Sequence, residues 1–96
     1  MLWQMNRDGF MNFLGQIVDA NGTTLQIGDY VVLLEAPEEL LRDLPSEDKV
    51  AIQAQVGRSL EVQGFDEYGH AELEFTDMNG TMHFIWVKGL VLQKRE

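Results

Sequence analysis

G-F-D-E-Y-G-H-A-E-L-E-F-T-D-M-N-G-T-M-H-F-I-W-V, residues 64–87, alternates apolar and polar side chains on both sides of an Asn-Gly pair, the pattern of a β-hairpin. Ala71, Leu73 and Phe75 alternate with Glu72, Glu74 and Thr76, and Met82, Phe84 and Trp86 alternate back. With Asn79-Gly80 as a two-residue type I′ loop, Phe75 is expected opposite Phe84 and Leu73 opposite Trp86. Four large apolar side chains then share one face, which has to be buried. The other face carries Glu72, Glu74, Thr76, His83 and Ile85 and is expected to be wet and mostly acidic.

Working outward, Leu60 and Val62 alternate with Glu61 and Gln63, and Phe65-Asp66-Glu67-Tyr68-Gly69 supplies a turn before His70. A second Asn-Gly, Asn21-Gly22, sits between apolar runs at 13–19 and 23–27. It predicts another hairpin, with Val18 opposite Leu25 and Gln16 opposite Ile27. Tyr30–Glu35, Y-V-V-L-L-E, is apolar on both faces and is expected at the centre of the sheet. Leu90–Gln93 reads as a short closing strand after the Lys88-Gly89 break.

Residues 37–56 change character. Pro37 followed by Glu38-Glu39 suits the first turn of a helix, where a missing N–H costs nothing and acids meet the positive dipole end. After Pro45, Ser46 is placed as the N-cap of a second helix that stops before Gly57. Leu40, Leu41, Leu44, Val50 and Val56 are expected to form a lid over one end of the sheet. The organisation is then an N-terminal extension at 1–12, without clear periodicity, and a single domain at 13–96 with a helical insertion at 37–56.

Ninety-six residues suffice for one core, and the chain has no cysteine, so disulfides, thiolate metal sites and a cysteine nucleophile are excluded. Cysteine-free composition fits a reducing compartment. The absence of an apolar run of about 18 residues or of a signal-peptide pattern makes a cytoplasmic, non-membrane protein the expectation. Sixteen acidic residues against seven basic ones give a net charge of −9, which repels nucleic acid. Between Arg58 and Lys88 no lysine or arginine occurs, whereas Glu61, Asp66, Glu67, Glu72, Glu74 and Asp77 do. A charge-steered partner is therefore expected to be basic.

The segments I-G-D-Y-V-V-L (Ile27–Leu33), Gly64-Phe65-Asp66, A-E-L-E-F-T-D (Ala71–Asp77) and Trp86-Val87 with Leu90 resemble the small SH3-like barrels of bacterial and translation-associated proteins. The resemblance implies a mainly β fold, a small barrel of antiparallel hairpins; the helical insertion between central strands, from Pro37 to Val56, departs from it, being longer than the loops of ordinary SH3-like domains. The basic residues that equip translation-associated members for RNA are missing, so that function does not transfer with the fold.

No Gly-rich phosphate loop, nucleophile elbow or H-E-x-x-H motif occurs, and the carboxylates Glu72 and Glu74 lie on a flat sheet without a pocket to separate their pKa values. A non-enzyme without a cofactor is expected. The candidate binding residues are Phe65, Asp66, Glu67, Tyr68, His70, Glu72 and Glu74, an aromatic and acidic mixture suited to an interface. The expected role is a protein-interaction or regulatory module that offers this acidic face to a basic protein, an immunity-type inhibitor being the narrower form. The alternative is a metal or small-ligand protein using His70, Glu72 and His83.

Overall fold

The computed structural model describes residues 4–6, 9–11 and 16–95. In chain order the elements are β1 (Gln4–Asn6), β2 (Gly9–Met11), β3 (Tyr30–Leu33), α1 (Glu38–Leu41), α2 (Ser46–Gln53), β4 (Ser59–Phe65), β5 (His70–Thr76), β6 (Met82–Lys88), a 3-10 turn η1 (Gly89–Val91) and β7 (Leu92–Lys94). The protein is mainly β. Five strands form one antiparallel sheet in the order β6-β5-β4-β3-β7, and β1 and β2 make a separate two-stranded hairpin. That hairpin occupies part of the N-terminal extension, whose sequence shows no clear periodicity; Trp3 lies outside the described residues.

The five-stranded sheet is not closed into a barrel. Among the described residues β7 pairs with β3 alone, its other side taking the Ala20 N–H at the Leu92 carbonyl, and β6 pairs with β5 alone, so the two ends of the sheet do not meet. β3 lies inside the sheet, between β4 and β7, with Val31 and Leu33 fully buried, but the middle place expected for it falls to β4. In β4 the alternation holds: Leu60 and Val62 point into the core while Ser59, Glu61 and Gln63 are exposed. A bulge between Val62 and Gly64 then shifts the pairing, setting Gly64 opposite Glu72 and Phe65 opposite Ala71.

The core comprises inward residues of β3 to β7 together with Ile17, Leu25, Ile52 and Val91. Leu40, Leu41, Leu44 and Ala51 pack against it. The two helices follow β3, but their lid differs from expectation: Val50 and Val56 are exposed, and Ile52 is the α2 side chain that enters the core. Ser46 is the first helical residue of α2, and Pro45 holds the capping place in an extended conformation. Proline's fixed φ and missing N–H suit that position.

Residues 16–25 form a tight turn with a bridge from Val18 to Thr24 and the Leu25 N–H donating to the Ile17 carbonyl at 2.9 Å. The expected pairs Val18–Leu25 and Gln16–Ile27 are therefore displaced by one position. The same displacement occurs in the β5–β6 hairpin. Thr76 faces Met82, Phe75 faces His83, Glu74 faces Phe84, Leu73 faces Ile85 and Glu72 faces Trp86. A one-residue slip exchanges the two faces of a strand. Ile85 and Val87 are buried, and Met82, Phe84 and Trp86, expected in the core, stand on the outer face.

The loop causes the slip. The Asp77 N–H donates to the Thr81 carbonyl and the Gly80 N–H to the Asp77 carbonyl, so the connection is a three-residue loop with Gly80 at φ +82°. A three-residue loop with a left-handed glycine replaces the expected two-residue type I′ turn. Asp77 Oδ1 accepts the N–H groups of Asn79 (2.8 Å) and Thr81 (3.0 Å), which fixes the longer loop.

Candidate functional site

The outer face of β5 and β6 is built by that loop. On β6, an edge strand, Met82, Phe84 and Trp86 are 54%, 48% and 46% exposed at consecutive outward positions. On β5 their direct partners are Thr76, Glu74 and Glu72, of which the two glutamates are half-buried. Each glutamate thus has an aromatic neighbour at cross-strand distance, about 4.5–5.5 Å between Cβ atoms. On its other side Glu72 faces Gly64, where a Cβ would meet nothing within 4 Å, so the flank of Glu72 is open. Large apolar groups set beside carboxylates and partly in solvent are the composition of an interface, with aromatic anchors and a charged rim.

His70 and Lys88 face each other at one end of this surface. His70 Nδ1 lies 2.9 Å from Asp66 Oδ2, and Lys88 Nζ lies 3.5 Å from Glu39 Oε1. A cleft of about 320 Å³ opens here between α1 and the Trp86–Lys88 end of β6, with His70, Asp66 and Leu40 on its walls. Burial acts to raise the Asp66 carboxyl, but the backbone N–H groups of His70 and Tyr68 and the His70 ring outweigh it, holding Asp66 below the usual carboxylate value. Asp66 is thereby committed to its own turn.

Of the residues nominated from sequence, the structure brings Glu72 and Glu74 together on the outer face and places His70 at the end of the same row. Phe65 pairs with Ala71 at the end of β4 and is exposed, as are Glu67 and Tyr68 in the loop that follows. The set therefore divides into a sheet group and a loop group. His70, Glu72 and His83 do not converge: Phe75, the partner of His83, is five residues beyond His70 on β5, roughly 17 Å along a strand, and on the opposite face. His83 stacks on Phe75 (centroids 4.8 Å apart, planes 11° apart) with Nε2 2.8 Å from Asp77 Oδ2. The His83 ring and the Thr81 and Asn79 N–H groups hold Asp77 below the usual carboxylate value. Among the described residues no group of three His, Cys, Asp or Glu side chains is placed to hold a metal.

Met82, Phe84 and Trp86 are the site residues that pattern alone misses. A signal for them is present in the sequence. D-A-N-G-T (19–23), D-E-Y-G-H (66–70) and D-M-N-G-T (77–81) share an aspartate three residues before a glycine. In each, one carboxylate oxygen accepts the N–H groups two and four residues on, and the glycine has φ between +82° and +88°. The shared spacing specifies the three-residue loop and hence the outward row. No protein-family model, curated protein or solved structure matches the chain.

Proposed function

We propose that the protein is a non-catalytic interaction module, of SH3-like character, that docks a basic partner protein on the outer face of β5 and β6. One observation carries this: three large apolar side chains, Met82, Phe84 and Trp86, stand half-exposed in register with Thr76, Glu74 and Glu72. Burying such a row against a partner is worth about 25 cal/mol per Å² of apolar surface, and contiguous exposed apolar surface of this kind marks interaction sites. The acidic neighbours give the partner its sign. From Arg58 to Lys88 the intervening chain holds no lysine or arginine, so the field over this face steers basic surfaces toward it and repels acidic ones. The SH3-like character is supported by the antiparallel sheet in which β3 pairs with both β4 and β7, and by the bulge that bends β4.

The test uses the tagged protein as bait in a lysate of its source, alongside Glu72→Lys/Glu74→Lys and Phe84→Ser/Trp86→Ser variants, at low and high salt. A basic protein retained by the parent and lost by both variants supports the proposal. A partner held equally by all three baits contradicts it.

A further inference from the structure

We infer that the partner engages as an extended segment added to the free edge of β6, with basic residues at positions i and i+2. The inference rests on the outer-face docking proposed above. β6 is seven residues long, lies at the end of the sheet order, and contains no proline and no charge before Lys88. Natural proteins blunt such edges unless they are used, because one row of backbone N–H and C=O groups is left to pair. α1 and its Glu39–Lys88 ion pair approach the Lys88 end, and among the described residues no strand pairs with the outer edge from Met82 onward, which is the open template.

Register decides the spacing. Glu72 and Trp86 form one cross-strand row, and Glu74 and Phe84 form the next on the same face. A strand added beside β6 extends each row by one position, and the two new positions are two residues apart in the incoming segment. An arginine or lysine at each lies over an aromatic ring, where a cation is attracted by the ring quadrupole. Its charge points across that ring to the glutamate beyond, about two strand spacings, roughly 9.5 Å, away. Gly64, opposite Glu72 on β4, adds no side chain that could compete with the incoming charge for that carboxylate. Charge also selects against a second copy as the occupant: the net charge of −9 makes two copies repel, and the lysine that β6 carries, Lys88, is already paired with Glu39.

The experiment measures binding of labelled eight-residue peptides to the full chain by fluorescence anisotropy at low salt. One peptide carries arginines at positions 3 and 5 in a threonine–valine background, and an isomer carries them at 3 and 6. Two further forms of the first are N-methylated on one or the other set of alternate backbone nitrogens. The 3,5 peptide is expected to bind about tenfold more tightly than its isomer, the effect of one charge-assisted contact. One of the two methylated forms should lose binding, and Glu72→Gln/Glu74→Gln should bring the 3,5 peptide to the level of its isomer. Equal binding of both isomers and of both methylated forms, with loss in Glu72→Lys/Glu74→Lys, would overturn strand addition while leaving outer-face docking in place. Binding by no peptide, or binding indifferent to the charge reversal, overturns both. A dimer in sedimentation that the 3,5 peptide does not dissociate gives the edge to a second copy and overturns the inference.

Discussion

Asp77 and Thr81 are joined by two hydrogen bonds: the Asp77 N–H donates to the Thr81 carbonyl at 2.9 Å, and the Thr81 N–H donates to Asp77 Oδ1 at 3.0 Å. This pair closes the loop between β5 and β6 at three residues and so determines which side chains of β6 meet solvent. With the pair in place, Ile85 and Val87 complete the core opposite Leu73 and Ala71, and Phe84 and Trp86 flank Glu74 and Glu72.

The register makes neighbouring residues of β6 respond oppositely to truncation. Ile85→Ala removes a buried side chain opposite the fully buried Leu73 and should cost about 2–5 kcal/mol in urea unfolding. Phe84→Thr keeps a β-favouring residue on the exposed face and should change stability by about 1 kcal/mol or less. Equal losses at the two positions would contradict the outward row.

Asp19 is the most buried of the three turn aspartates, and its carboxylate accepts three backbone N–H groups: those of Asn21 and Thr23 on one oxygen, and that of Lys94 on the other at 2.8 Å. The last contact ties the turn to β7. Asp19→Ala leaves those donors without their acceptor and should cost about 1–3 kcal/mol. Asp19→Asn, which keeps the oxygen for the turn, should recover part of the loss in the same denaturation measurement.

Gly89 is required by close approach. A Cβ built there would come within 1.9 Å of the Val18 carbonyl oxygen, a backbone atom with no rotamer to escape by. Gly89→Ala should therefore destabilise by about 1–3 kcal/mol or more, the range of overpacked cores. Gly64→Ala, with open space around the added methyl, should be near neutral at the same temperature.

Acid sensitivity should come from the depressed aspartates. In the folded state Asp66 and Asp77 are held below the ordinary carboxylate value. As pH falls through the ordinary carboxylate value, the unfolded chain takes up protons first, and the native state is disfavoured progressively until the folded values are passed. Their stabilising effect is thus complete well above the ordinary carboxylate value of about 3.9 and is lost progressively as pH falls through and below it. Thermal melts of Asp66→Asn/Asp77→Asn should show a shallower decline below about pH 4 than the parent. An unchanged decline would remove these two residues as its cause.

How far the sequence foretells the structure depends on how one-sided each strand is. β4 and β5 set Leu60, Val62, Ala71, Leu73 and Phe75 against polar neighbours, so their inward faces follow from alternation alone. β6 reads M-H-F-I-W-V, and either alternate set can be taken for a core face. Hydrophobicity cannot choose between them, and the choice falls to the loop, where Asp77 prefers a three-residue connection to the two-residue one suggested by Asn-Gly. The acidic half of the candidate site was therefore legible in Glu72 and Glu74, and its aromatic half was hidden by one position of register. In α2 a similar ambiguity placed Val50 and Val56 in a lid, whereas Ile52 is the residue that the core takes.

Hydrogen–deuterium exchange on the complex with the basic partner captured by the parent protein addresses the docking surface itself. The expected result is protection of amides in β6 from Met82 to Trp86 and in β5 at Glu72 and Glu74, with little change at Glu67–Tyr68 or in α2. Protection confined to the loop after β4 or to α2, with β6 exchanging as in the free protein, would contradict the assignment of the outer face as the binding site.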